Sequence, residues 1–189
     1  MDFFKLIKWR RSVRKFAPRA IEREKLIQIL EAARIAPSSS NRQAWHFVVI
    51  DDKRLIEQIP KQVVLGERMA AAFLKDAPCV IAGCYTRALT HHLARLFKHE
   101  NYLVDVSIAM HQISLAAAAL GIGSCYVGWF HTRKLKKLLG IPPHYSIAVL
   151  LGLGYPAEPS TEEAIGGVPA RVRKAFDDVV SHNIYGNKL

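Results

Sequence analysis

The stretch from Asn101 to Leu120 constrains the fold of this chain more than any other part of the sequence. Apolar residues and alanines occupy nearly all of it, while Asn101, Asp105 and Gln112 form a thin polar line. A helix that is apolar on almost every side is buried between other elements. The pattern therefore predicts a long central helix packed on several sides, with Gly121 at its C-terminal end.

Shorter helices and strands are predicted on both sides of this stretch. Apolar residues recur at helical spacing from Ile21 to Ala36, and Pro37 ends that helix. The other predicted helices cover 2–9, 53–59, 67–75 and 133–139, and the predicted strands cover 45–51, 77–85, 124–127 and 145–154. No repeat or linker divides the 189 residues, so we expect one domain, 1–189, in which 168–189 form a C-terminal extension.

A basic cluster lies near the start of the chain, in the residues "RRSVRKF", 10–16. It consists of Arg10, Arg11, Arg14 and Lys15 around Ser12. Guanidinium groups bind phosphate oxygens bidentately, and a hydroxyl can donate one further bond. Residues 1–25 contain nine Lys/Arg and three Asp/Glu and so supply +6 of the net charge of +11. This balance predicts an anionic partner, which can be a nucleic acid, a membrane surface or a phosphorylated small molecule, unless the cluster is simply a solvated surface.

The sequence contains no standard motif for catalysis by protein side chains. The three cysteines, Cys79, Cys84 and Cys125, form no CxxC pair, so we expect free, mostly buried thiols in a reducing compartment. The histidines at 91, 92 and 99 have no carboxylate or cysteine at metal-ligand spacing, and we predict no metal site. A basic, enzyme-sized chain of this kind suggests a cofactor that supplies the chemistry.

Two further patterns in the sequence do not indicate the structures that they resemble. The residues "GLGYPA", 152–157, fit a dinucleotide fingerprint, but Pro156 and Pro159 bracket the place where its helix would begin. The N-terminal residues are too polar for a secretory segment, and the most apolar stretch, 113–123, is too short to span a bilayer. We therefore expect a cytoplasmic protein that does not enter a membrane.

Three stretches, taken together, resemble the nitroreductase family of FMN-dependent oxidoreductases. They are "RRSVRKF" at 10–16, "APSSSNRQAWHFVVI" at 36–50 and "LAAAALGIGSCYVGWF" at 115–130, and "ARVRKAFDDVV" at 170–180 is a weaker fourth match. The resemblance implies an α+β fold with a central, mostly antiparallel sheet flanked by helices. It also implies an intertwined homodimer, in which the C-terminal extension reaches the partner and each FMN is bound by both chains.

The resemblance also implies which residues bind the cofactor. Arg10 matches a phosphate-binding residue, with Arg11 beside it, while Ser12 and Arg14 match residues that face the ribityl chain and the pyrimidine edge. The other implied FMN-binding residues are Arg171 and Arg173 at the phosphate, Pro37, Ser38 and Ser39 of the other subunit along the ring, Asn41 near the pyrimidine edge, and Gly128 with Trp129 near flavin N5.

The activity implied by the resemblance is hydride transfer from NAD(P)H through FMN to a nitroaromatic, quinone or similar small-molecule acceptor, in a ping-pong reaction. No catalytic residue of the protein itself is nominated. A specialised flavoenzyme of the same scaffold, dehalogenase-like or flavin-consuming, is the nearer alternative, and segment 86–100 is the insertion-sized candidate for its lid. A basic nucleic-acid-binding protein without catalysis is the more distant alternative, and it lacks a recognisable binding motif.

Overall fold

The computed structural model describes residues 2–63, 71–86, 101–158 and 173–189. The chain divides into two compact units, Met1–Pro159 and Ser160–Leu189. Nearly all side chains of 173–189 are exposed around a short 3₁₀ helix, Phe176–Asp178, as expected for a segment with little core-forming sequence. That 168–189 act as an extension of a single domain stays a prediction.

The larger unit contains five described α-helices and four described strands. The helices are α1 Phe3–Trp9, α2 Arg23–Arg34, α3 Lys53–Gln58, α4 Asn101–Ala119 and α5 Thr132–Leu139, and the strands are β1 Trp45–Ile50, β2 Cys79–Thr86, β3 Gly123–Val127 and β4 Tyr145–Gly154. A π-helical turn at Ile59–Val63 follows α3, and 3₁₀ helices lie at Ser39–Asn41 and Ala72–Asp76. The helix predicted over 67–75 is therefore a 3₁₀ helix at Ala72–Asp76, and residues 67–70 of the prediction lie outside the described part.

The four strands form one sheet in the order β1-β2-β4-β3, with every pair antiparallel. The side chains of the central strand β2 are buried from Cys79 to Tyr85 on both faces. A strand covered on both faces needs no polar alternation, which explains its uninterrupted apolar sequence. The α+β fold with an antiparallel sheet and flanking helices is thus confirmed.

Two apolar clusters cover the two faces of this sheet. One joins Ile29 of α2, Ile113 of α4 and Ile81 of β2, and the other joins Leu135 of α5 to Leu74 and Val80. Alternate residues of β2 enter opposite clusters because successive side chains of a strand point to opposite faces. The sheet is therefore the middle layer between two groups of helices.

Helix α4 is the long helix that the sequence predicts, and Gly121 follows it with a φ of +74°. Among the described residues it is the one helix long and apolar enough to cross a membrane by length and composition, with a mean hydropathy of 1.3. It buries nine side chains within the fold, including Val106 and Ile113, as a core helix does. Its outer face is not covered, since Val104 and Ile108 remain exposed.

The glycines of "GLGYPA" serve packing. A Cβ at Gly154 would lie 2.5 Å from Pro78 Cδ, and one at Gly152 would lie 2.9 Å from Leu74 Cδ2. The described residues 155–158 contain no helix. The residues that follow, 159–172, lie outside the described part.

A polar cluster joins the start of α2 to the end of β4. The Tyr155 hydroxyl donates to Glu22 and accepts from Lys25 Nζ at 2.7 Å, while the Arg19 guanidinium lies 4.1 Å above the tyrosine ring and pairs with Glu22. The hydrogen bond from Tyr155 is the main cause that lowers the pKa of Glu22 from 4.5 to about 2. This carboxylate therefore helps to hold α2 against the sheet while it is ionised.

We expect Tyr155→Phe to lower the urea midpoint of unfolding at neutral pH and to lose this effect in acid. A carboxylate whose pKa is lowered on folding stabilises the fold above its ordinary pKa, and this contribution disappears as the pH falls towards the folded pKa. The difference from wild type should be full above about pH 5 and vanish near about pH 2. Tyr185→Phe, at a residue 99% exposed, is the control and should show no such trend. A difference independent of pH would contradict the assignment.

Candidate functional site

The Arg10 side chain is held at the junction of three elements. Arg10 follows the last residue of α1, and its guanidinium Nη1 donates to Ser114 Oγ of α4 at 3.0 Å. Ser114 Oγ in turn lies 2.8 Å from Ser124 Oγ of β3, and both serines are buried. A half-buried guanidinium is therefore fixed by a buried pair of hydroxyls. The sequence motifs identify Arg10 as a site residue but assign no role to Ser114 or Ser124.

The chain after Arg10 runs along the edge strand β3. Ser12 forms a parallel bridge with Ser124, and the Val13 N–H donates to the Ser124 carbonyl at 3.0 Å. This close approach requires glycine at 123, because a Cβ there would lie 2.6 Å from Val13 Cγ2. The absence of a side chain at Gly123, within "GIGSC", therefore allows the segment that follows Arg10 to pack against β3.

Electrostatic effects at Cys125 indicate which cations meet beside β3. Burial raises the pKa of the Cys125 thiol, while Arg14, a hydrogen bond with Ser12, and Arg10 oppose that rise. Arg10 also contributes, after burial, to a lowered pKa of His111 on α4. Arg10, Ser12 and Arg14 therefore all act on one buried thiol of β3, and their role in binding a cofactor stays a prediction.

The cysteines themselves are not suited to redox chemistry or nucleophilic attack. All three are free and buried. Burial raises the pKa of Cys79 to about 12 and that of Cys84 to about 11. Since the thiolate is the reactive form, these thiols are protonated and inert at neutral pH.

The loop predicted to line a flavin ring is tightly organised. Ser38 Oγ accepts from the Gln43 N–H at 3.0 Å, and Gln43 Nε2 donates to Asn41 Oδ1 at 3.0 Å. Ser39 donates from both its N–H and its hydroxyl to Asp105 Oδ1 of α4, each at 3.1 Å. Pro37 is exposed at the start of the loop. The sequence pattern identifies Asp105 only as part of the polar line of α4, although an acidic residue on an apolar helix itself indicates a site residue.

The remaining predicted residues lie in three places. Gly128 and Trp129 follow β3 directly and are exposed, with Trp129 at 76%. Arg11 is half-buried between Arg10 and Ser12. Arg173 is exposed in the second unit, while Arg171 and most of segment 86–100, including its histidines, lie outside the described residues.

The basic cluster also borders a cleft of about 580 Å³ on the surface of the larger unit. Arg14, Lys15 and Arg19 line it together with Lys53 and Lys75, and Asp51 and Asp76 are the acidic residues of its wall. Arg14 therefore lies between β3 and this cleft. Lys15, which the motif groups with the other cations, contributes to the cleft.

Comparison with known proteins identifies the class of protein to which this fold and site belong. The model of the nitroreductase family matches residues 7–155, and the chain belongs to that family. The match includes Arg10, the loop at residues 38–43 (the serine loop) and Gly128, and it ends before Arg171 and Arg173.

Particular relatives extend this comparison. A protein of Methanothermobacter thermautotrophicus, provisionally named NADH dehydrogenase/NAD(P)H nitroreductase, is 35% identical over 86% of this chain and 82% of its own length. The 5,6-dimethylbenzimidazole synthase of Rhodospirillum rubrum is 28% identical over 81% of each chain. The structure of an FMN-dependent nitroreductase from Clostridium difficile is similar with a TM-score of 0.75 and 27% identity, covering 97% of this chain and 100% of that one.

Proposed function

We propose that this protein is an FMN-dependent oxidoreductase that transfers hydride from NAD(P)H to a nitroaromatic, quinone or similar acceptor. The observation that carries the proposal is the Arg10–Ser114–Ser124 arrangement beside Ser12, in a chain of the nitroreductase family. The nitroreductase names of the relatives and the FMN-dependent neighbour support a flavin as the cofactor.

The residues beside β3 fit the phosphate-bearing end of FMN. The phosphate carries about two negative charges at neutral pH. Arg10 offers guanidinium donors for the phosphate, and charge-assisted bonds of this kind are worth roughly 1.5–3 kcal/mol each. Ser12 and Arg14 are proposed to face the ribityl chain and the pyrimidine edge. The role of Arg171 and Arg173 at the phosphate, which the resemblance implies, stays a prediction. The net positive charge of the N-terminal segment is thus assigned to a small-molecule phosphate, in preference to nucleic acid or a membrane surface.

The side chains of this chain bind and orient, and the bound flavin supplies hydride acceptance and donation. Arg10 would hold the phosphate, while its hydrogen bond to Ser114 restricts rotation of the guanidinium. Arg14 would place a positive charge at the pyrimidine edge, where it would favour the reduced cofactor. The Gly128 N–H is proposed to donate towards N5, with the exposed Trp129 beside it. One open ring face has to receive both donor and acceptor, so we propose ping-pong turnover.

A homodimer is proposed as the functional unit, with FMN bound between the two chains. Exposed apolar side chains on three helices support it. They are Phe3, Phe4 and Ile7 of α1, Ile27 of α2, and Val104 and Ile108 of α4, all between 38% and 67% exposed. An apolar surface of this kind on a small protein is typical of an interface. The buried free thiols agree with a reducing, cytoplasmic location.

The absorbance spectrum of the purified protein tests the proposed function directly. We expect a yellow protein whose flavin absorbance bleaches on anaerobic addition of NADH or NADPH and returns when a quinone is added. The same titration decides between the two nicotinamides. A colourless protein that takes up no added FMN would overturn the proposal.

A specialised member of the family that consumes its flavin is the second candidate, and the relatives include one with a name other than nitroreductase, 5,6-dimethylbenzimidazole synthase. The two candidates differ in the fate of the cofactor. An oxidoreductase returns all of its FMN after many turnovers, whereas a flavin-consuming enzyme destroys one FMN per reaction. Quantifying FMN by chromatography before and after aerobic incubation with NAD(P)H distinguishes them.

A further inference from the structure

Asp105 is a buried carboxylate whose two described hydrogen bonds both go to one residue of the serine loop. It is 6% exposed within the apolar helix α4, and its Oδ1 accepts from the Ser39 N–H and the Ser39 hydroxyl at 3.1 Å each. A buried charge is costly unless it is hydrogen-bonded. An apolar residue at this position would pack better within α4. The acidic side chain therefore indicates that the loop requires a hydrogen-bond acceptor here.

The loop that Asp105 holds has an unfavourable backbone conformation. Ser40, Asn41 and Gln43 have φ values of 53°, 54° and 48°, in the left-handed region that residues other than glycine seldom adopt. Such conformations persist only where surrounding contacts determine them. Bonds within the loop, such as that from the Gln43 N–H to Ser38 Oγ, contribute, but Asp105 ties the loop to the core.

We propose that Asp105 is a positioning residue that fixes residues 38–43 in the conformation that receives the flavin ring. The inference rests on the proposed function, because the loop is assigned there to the ring. Since the Ser39 hydroxyl donates its proton to Asp105, its oxygen can only accept a hydrogen bond from a ligand. Asp105 thus determines both the shape of the loop and the polarity of Ser39 without touching the cofactor.

Two readouts on the Asp105→Ala variant test this role, and the first needs no cofactor. In the apoprotein, amide hydrogen exchange of residues 38–43 should become faster, because the Ser39 N–H loses its acceptor. In the second readout, the FMN dissociation constant, from quenching of flavin fluorescence, should rise about tenfold to a hundredfold. Asp105→Asn keeps an oxygen acceptor at the same place, and we expect it to restore most of the affinity.

Asp52→Ala is the matched control. Asp52 is also a carboxylate with two described hydrogen bonds, to the backbone N–H groups of Arg54 and Leu55 at the start of α3. Its removal should lower thermal stability as a lost helix cap does, while exchange in the serine loop and FMN affinity stay unchanged.

The outcomes separate this inference from the proposed function. Equal FMN affinities of the Asp105→Ala and Asp52→Ala variants would overturn the positioning role, even if exchange in the loop is faster. If Asp105→Ala does not fold, the FMN affinity of Asp105→Asn is measured instead. An Asp105→Asn variant that binds FMN as weakly as Arg10→Ala does would also overturn the positioning role. If the wild-type protein binds no FMN, the proposed function fails, whereas the exchange measurement still reports whether Asp105 anchors the loop.

Discussion

Arg10→Ala is expected to weaken FMN binding about tenfold to a hundredfold, which is the largest effect that we predict for one exposed or half-buried side chain. The variant removes a guanidinium that Ser114 Oγ holds at 3.0 Å, and with it the charge-assisted bonds to the phosphate. Titration of apoprotein into FMN with fluorescence detection measures the dissociation constant. Measured at two salt concentrations, the loss should be smaller at high salt because ionic contacts are screened.

Two further variants show whether this effect belongs to the site. Lys134→Ala removes a cation from the exposed face of α5 and should leave the dissociation constant within about twofold. Arg10→Lys keeps the charge but loses the planar fork of donors, so an intermediate affinity is expected. If Arg10→Ala and Lys134→Ala have equal effects, Arg10 does not bind the phosphate.

Gly123→Ala is expected to destabilise the fold and to weaken FMN binding together. A Cβ at this position would lie 2.6–2.9 Å from the Val13 side chain, so the segment that carries Arg10, Ser12 and Arg14 has to move away from β3. Overpacking of this kind costs about 1–3 kcal/mol, and a fall of about 5 °C in the melting temperature is expected. Thermal unfolding and the FMN titration measure the two effects.

A compensating change distinguishes steric overlap from a general effect of alanine. Val13→Gly removes the atoms that the new Cβ would meet, so the Gly123→Ala/Val13→Gly double variant should be more stable than the sum of the single changes predicts. Val13→Ala would not suffice, because the Val13 Cβ itself lies 2.7 Å from the added atom. Gly128→Ala, where a Cβ meets nothing within 4 Å, should leave the melting temperature unchanged. Additive effects in the double variant would exclude the steric explanation.

The elements of the described chain were largely predictable, because apolar periodicity is a local property. The predicted boundaries of the helix at 101–120 and of the strands at 45–51 and 145–154 lie within one residue of those in the structure. The exposed Val104 and Ile108 were not predictable, since a helix that is apolar all round gives no indication of which side faces outward. The segment 72–76 forms a 3₁₀ helix in place of the predicted α-helix.

The candidate site was predictable only in part. Motifs identified Arg10, Ser12 and Arg14, which the structure brings together beside β3. They assigned no role to Ser114, which lies just before the stretch 115–130, or to Ser124, which lies within it. The role of Asp105 was missed because it lies outside the motif stretches, although an acidic side chain on an apolar helix is itself a signal.

The amino-acid sequence by itself determined the helices and strands, the family and the residues that carry the positive charge, because spacing and side-chain type are properties of neighbouring residues. Only the tertiary structure decided that Arg10 is held by Ser114, 104 residues away, and Ser39 by Asp105, 66 residues away. Whether such distant residues form a hydrogen bond depends on which strand and which loop pack against helix α4. The packing of the whole core determines these contacts, and no local stretch of sequence specifies them.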